Sequence, residues 1–317
     1  MARWTGSLTI EKALLPGAKP VPIFAEEALM EKSTRPPLQV YQSLWAMQPH
    51  SPDGIKLPLD EVCDMVAAEG FSGMAIDLGA ADVQTAYDVR PHLERNNLTP
   101  LIVAFPKSVP SLRETLVMAK EFGAPFVDVI GQVFPLSVEG GIPVIRKWIE
   151  MSEDVGMPVQ FETHRNCITN DLFYTLQLLD AVPEMRLCCD LSHYVVDREF
   201  WYPVSADNQA LIQRCIERSD SFQGRVASRQ QIQLQINFPQ HHKWVQVFED
   251  WWRRGFDSWL KRNPEGSPIF LCELGPPEYA MTGADGKELS NRWEEALQLR
   301  DTAQRIWAQA CEAQAAG

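Results

Sequence analysis

Two rhythms alternate along the chain from residue 38 onward. Short runs rich in β-branched and aromatic residues are separated by longer stretches whose apolar residues recur every three to four positions. The short runs predict strands at 38–47, 73–79, 99–106, 126–132, 157–164, 185–191, 221–227 and 268–274. The longer stretches predict helices at about 58–69, 82–96, 110–122, 138–155, 169–181, 205–218, 240–262 and 290–312. Local punctuation supports several boundaries. Pro110-Ser111 opens the third helix and Gly123 follows it, while Asn291 with Glu294 three later resembles a capping box for the last. The span 38–311 then holds eight strand–helix units of about 34 residues each, which predicts an α/β fold of the (β/α)8 TIM barrel type. A doubly wound sheet needs fewer strands and usually a Gly-rich first turn, and no G-x-G-x-x-G occurs.

Residues 1–37 carry Pro16, Pro20, Pro22, Pro36 and Pro37 and lack clear periodicity. They read as an N-terminal extension to a single barrel domain at 38–317, lying on it or forming a partly ordered tail. The helix at 240–262 is aromatic, with Trp244, Phe248 and Trp251 on one face and Trp252 and Trp259 nearby, which predicts packing against the barrel or a subunit partner. Of the 317 residues 45% are apolar and 22% charged, so a folded globular chain is expected. The balance of 29 basic against 42 acidic residues leaves a net charge of −13, which argues against nucleic acid and anionic membrane as partners. The seven cysteines are odd in number and contain no C-x-x-C pair. With no secretory-type apolar run at the N-terminus, they predict buried thiols in a cytoplasmic protein.

In a barrel of this kind chemistry sits at the C-terminal strand ends, and polar side chains that break the apolar pattern there are the candidates. The fifth strand carries Gln160-Phe161-Glu162-Thr163-His164 and the sixth ends Cys188-Cys189-Asp190-Leu191-Ser192-His193. The seventh reads Phe222-Gln223-Gly224-Arg225-Val226 and the eighth ends Leu271-Cys272-Glu273-Leu274-Gly275. Period-two alternation puts Ile269, Leu271 and Glu273 on one face, and Ser221, Gln223 and Arg225 on one face. Oxygen ligands from Glu162, Asp190, Gln223 and Glu273 on neighbouring strands would suit a hard divalent cation, Mn²⁺ or Mg²⁺. Any one of these carboxylates alone reads as readily as a solvated loop residue or a helix cap.

This set resembles the xylose-isomerase-like superfamily of sugar isomerases and epimerases, over the barrel and not over the extension. The matching marks are Glu162 in Gln160-Phe161-Glu162-Thr163-His164-Arg165, the D-x-x-H of Asp190–His193, Gln223 in Phe222–Val226, and Glu273 in Cys272–Gly275. Gly70-Phe71-Ser72-Gly73 matches a further motif, after which Ala75 stands where an acidic residue is common. The resemblance implies that Glu162, Asp190, Gln223 and Glu273 hold a divalent metal. Gln223 matches the hydroxypyruvate-isomerase-like members. It implies that Glu162 and Glu273 are the catalytic pair, moving a proton through a metal-bound enediolate. It implies a small sugar-like substrate contacted by His193, and an assembly of several copies of the chain.

Arg225 reads as a holder of a substrate oxygen or carboxylate, and His164 as a pocket residue. Arg165 reads as a brace for the carboxylates. Trp45 and His50, after strand one, read as an apolar face and a polar contact for a sugar ring, with core packing the competing reading for Trp45. His241-His242 carries little, because neighbours at a helix start point apart. Gly140-Gly141 and the 283–287 turn read either as phosphate cradles or as plain loops. A lyase or dehydratase shares the first proton abstraction and is the alternative activity. A non-catalytic metabolite-binding barrel is a third reading, and only six histidines and the acidic charge argue against a multi-zinc nuclease on the same barrel.

Overall fold

In the computed structural model, residues 35–263 and 265–316 are described. The extension expected at 1–37 falls outside them apart from Arg35, Pro36 and Pro37. Eight parallel strands close on themselves in chain order: β1 (Gln39–Ser43), β2 (Gly73–Asp77), β3 (Thr99–Ala104), β4 (Val127–Val129), β5 (Val159–Glu162), β6 (Leu187–Cys189), β7 (Ser219–Gln223) and β8 (Ile269–Cys272). Between and after them run α1 (Leu59–Ala68), α2 (Val83–Arg95), α3 (Leu112–Phe122), α4 (Val138–Val155), α5 (Leu172–Ala181), α6 (Leu191–Asp197), α7 (Ala206–Ile216), α8 (His242–Arg262) and α9 (Arg292–Ala316). This is the expected (β/α)8 TIM barrel.

Alternation along the strands divides the core in two. Tyr41, Ala75, Leu101, Val103, Ile269 and Leu271 fill the inside of the barrel. Val40, Met74, Ile76, Ile102, Phe270 and Cys272 face outward onto the helices. Both faces are covered, which is why these runs look almost continuously apolar in the sequence. Gly73 lies at a close approach: a Cβ there would sit 2.3 Å from the Thr99 carbonyl oxygen and 2.6 Å from the Tyr41 ring. α8 buries Trp244, Phe248, Trp251, Trp252 and Trp259, and the Trp252 indole N–H donates to the Gln223 carbonyl at 3.2 Å. Its aromatic face therefore packs on the barrel. All seven cysteines are buried. Gly123 ends α3 in the left-handed region, and Asn291 Oδ1 accepts from the Trp293 N–H at 3.0 Å at the start of α9.

Some expected boundaries differ. The first run ends as a strand at Ser43 and turns into a short 3-10 helix at Trp45–Met47. The seventh strand spans Ser219–Gln223 rather than 221–227, because the Val226 carbonyl is taken by the N–H of Leu234 from the following loop. α6 had no counterpart in the periodicity, since two turns are too short to show one. Gly140 and Gly141 lie inside α4, and a Cβ on Gly141 would stand 2.4 Å from the Tyr174 hydroxyl, so this glycine serves helix packing.

Candidate metal centre

The strand register lifts the polar side chains to one end of the barrel. Glu162 is the last residue of β5 and pairs with Cys188; Cys188 pairs with Ser221, and Gln223 with Leu271. Asp190 lies two residues past Cys188, and Arg225 and Glu273 lie two past Gln223 and Leu271, so all keep the inward parity. Glu162, Asp190, Gln223 and Glu273 are all buried. Carboxylate oxygens of Glu162, Asp190 and Glu273 lie within 4.8 Å of one another. Asp190 also caps α6, with Oδ1 accepting from the Ser192 N–H at 2.9 Å and the Ser192 hydroxyl at 2.6 Å. The unforeseen helix thus begins at a site residue.

Two further acids were missed. Asp128, on β4, is fully buried and contacts Glu162, and its Oδ2 accepts from Gln223 Nε2 at 3.4 Å. Its signal was present: one carboxylate in the apolar run Phe126-Val127-Asp128-Val129-Ile130. Asp77 ends β2 with the same parity as Ala75 and lines the mouth cavity. Ala75 itself brings no carboxylate to that strand, and Asp77 brings one two positions later.

Arg225 is completely enclosed and braces the cluster. Its Nη1 donates to Asp190 Oδ2 at 2.6 Å, its Nη2 to Glu273 Oε2 at 3.1 Å, and its Nε to the Glu273 carbonyl at 3.0 Å. The bracing expected of Arg165 therefore belongs to Arg225. Arg165 instead donates from Nε to His193 Nδ1 at 3.1 Å. The His193 Nε2 lies 3.3 Å from Arg225 Nη1 and 3.5 Å from Asp190 Oδ2, so both ring nitrogens are held against the arginine–carboxylate cluster. His193 is fully buried behind the two arginines, its ring centre 4.1 Å from that of His164.

Above the cluster opens a cavity of about 630 Å³, lined by Trp45, Phe105, Lys107, His164, Arg225 and Glu273 among others. Trp45 meets Tyr279 edge-on at 5.1 Å, so it is a wall of the cavity rather than core. His50 pairs with Glu288 at 3.3 Å, and His241 Nδ1 contacts the Gln235 carbonyl at 2.8 Å; neither lines this cavity.

Burial dominates the electrostatics. It pushes Glu273 up to about 8 against the opposing pull of Arg225, and Asp128 up to about 6. Glu162 is lifted well above the usual carboxylate range by burial, then by the charges of Asp128, Glu273 and Asp190. Burial holds His164 down at about 4, and it pushes His193 well below the ordinary imidazole value, with His164, Arg225 and Arg165 adding to it. Among the described residues, both oxygens of Glu162, Oδ1 of Asp128 and Oε1 of Gln223 are buried without a hydrogen-bond partner. Acidic and carboxamide oxygens left bare at that depth fit a hard divalent cation.

No protein-family model matches the chain, and no curated sequence matches it. Solved structures do. A xylose isomerase-like TIM barrel protein from Mycobacterium smegmatis, in complex with magnesium, superposes with a TM-score of 0.57 at 12% identity, covering 86% of this chain and 98% of that one. D-allulose 3-epimerase from a Methylomonas species gives 0.51 at 15% identity, again over 86% and 98%. A probable 3-DHS dehydratase from Bacillus anthracis gives 0.50 at 13% identity, over 85% and 98%. The fold is the barrel of the xylose isomerase-like proteins.

Proposed function

We propose that the chain is an isomerase or epimerase of a keto-sugar or related small hydroxy-carbonyl compound, dependent on Mg²⁺ or Mn²⁺. The observation that carries this reading is the set of bare, buried oxygens on Glu162, Asp128 and Gln223 beside Asp190 and Glu273 at the barrel mouth. Glu162, Asp190, Gln223 and Glu273 would hold the ion. When bound, it would polarise a substrate carbonyl and acidify the adjacent C–H.

The chain's own residues do the rest. Glu162 and Glu273 take the proton from carbon and return one to the neighbouring carbon or the opposite face. Burial raises the basicity of both, so each is a better proton acceptor than an exposed carboxylate. Arg225 fixes Asp190 and Glu273 against their mutual repulsion. Trp45 and Phe105 give a sugar ring apolar walls, and His164, neutral at physiological pH, presents a polar edge. A cavity of about 630 Å³ suits one monosaccharide-sized ligand. Exposed Phe134, Leu136 and Trp201 support assembly with further copies of the chain, which its elution volume tests.

The decisive experiment combines metal analysis of the purified protein with NMR in D₂O. Ketoses, hydroxypyruvate, inosose and 3-keto-glycosides are offered with and without chelator. The expected result is a bound divalent ion and chelator-sensitive exchange of one carbon-bound proton. Loss of water or of an aglycone would assign the lyase reading instead. Absence of any divalent ion, with turnover indifferent to chelator, overturns the proposal.

A further inference from the structure

A carboxamide is a poor choice of ligand unless something fixes which end faces the ion. Its oxygen coordinates and its NH₂ repels, and the two differ only by a half-turn of the side chain. Gln223 is buried, so water does not choose for it. Its Nε2 faces two acceptors, Asp128 Oδ2 at 3.4 Å and Cys188 Sγ at 3.7 Å. Its Oε1 has no hydrogen-bond partner, and neither have Asp128 Oδ1 and the two oxygens of Glu162. The reversed rotamer would press the carbonyl oxygen against the Asp128 carboxylate, like charge against like. Asp128 is itself held from below, on β4, by a strand buried on both faces.

We propose that Asp128 is a positioning residue for the cation: it locks the Gln223 carboxamide with its oxygen toward the ion and adds negative charge behind Glu162. The inference rests on the metal-dependent reading above and deepens it. Asp128 acts through Gln223 and Glu162. A buried partner of this sort typically changes metal affinity by about 10–100-fold when removed.

The test reads Mn²⁺ affinity, by calorimetry and by the EPR signal of free Mn²⁺, on the full chain. Asp128→Leu should weaken binding by about 100-fold, because Gln223 then loses its orienting acceptor and the cluster loses a charge. Asp128→Asn should weaken it by only about 10-fold, because its carbonyl oxygen still accepts from Gln223 Nε2. The sharpest variant exchanges the pair. In Asp128→Asn with Gln223→Glu, the amide donates and the carboxylate accepts, so the contact re-forms with its polarity reversed. That double variant should bind Mn²⁺ within a few-fold of the parent, whereas Gln223→Glu alone sets two carboxylates face to face. A merely structural role for Asp128 predicts no such recovery.

Circular dichroism confirms folding, and if Asp128→Leu does not fold, the Asn variant and the exchanged pair carry the test. Affinity within two-fold of the parent in both single Asp128 variants overturns the inference. So does an exchanged pair that binds no better than Asp128→Asn. If the parent itself binds no divalent ion, the metal-dependent reading fails first, and the variants are not what decided it.

Discussion

The barrel mouth and the entry to α9 both bury an arginine among carboxylates, with opposite results. At α9, Arg292 Nε donates to Glu288 at 2.7 Å, and its Nη2 reaches the carbonyls of Gln48 at 2.7 Å and Pro49 at 3.2 Å, with Nη1 on the carbonyl of Ala46. Glu295 accepts from the Ile236 N–H at 2.9 Å and the Ser290 hydroxyl at 3.0 Å. None of these side chains leaves a buried polar atom without a partner. At the mouth, Arg225 satisfies Asp190 and Glu273, while both oxygens of Glu162, Oδ1 of Asp128 and Oε1 of Gln223 have no hydrogen-bond partner. A completed buried network holds structure. One left open at the C-terminal end of a barrel is the arrangement a cation and a substrate would finish.

The comparison can be broken in order of expected effect. Glu162→Gln should lower kcat/KM by about 10²–10⁴-fold once a substrate is in hand. Its melting temperature should hold or rise, since a neutral amide replaces an uncompensated buried acid. A parallel fall in stability would erase the distinction between the two clusters. Arg292→Met should do the reverse. It strands Glu288 without its cation and should cost about 3–5 kcal/mol of stability in urea unfolding, while turnover per folded molecule stays unchanged.

The pH response sharpens the contrast at α9. Burial pushes Glu295 up to about 7 from an ordinary value of 4.5. The folded state therefore holds its proton more tightly than the unfolded chain. The associated stability is full below about pH 4.5 and is lost as pH rises through about 7. At 1.36 kcal/mol per pKa unit the swing is about 3 kcal/mol. Subtracting the Glu295→Gln stability profile from that of the parent isolates it; a flat difference between about pH 5 and 8 would refute it. The smallest effect returns to the mouth. A divalent ion at about 100 times its Kd should stabilise the parent by about 2.7 kcal/mol, seen as a melting shift reversed by chelator. Arg292→Met should keep that increment and Glu162→Gln should lose it.

Much of this was legible along the chain. Apolar runs covered on both sides announced the strands, and an acid ending such a run announced Glu162, Asp190 and Glu273. Asp128 carried the same signal yet was passed over, because it stands in the middle of its run rather than at the end. Asp77 was passed over as well, since a strand's parity is visible in sequence but the height of its end is not. The exchange of roles between Arg165 and Arg225 had no local signal. Both follow a candidate ligand closely, and only the folded distances separate them.

The sequence by itself determined the eight-unit rhythm, the barrel, the parity of the inward residues and the chemical kind of the candidate ligands. These depend on periodicity and side-chain type, which are local properties. Tertiary structure alone decided that Asp128 meets Gln223 across 95 residues of chain, that Arg225 rather than Arg165 braces the acids, and which oxygens remain bare. Those facts depend on strand stagger around a closed barrel, and stagger is set by how all eight strands pack together, not by any one of them.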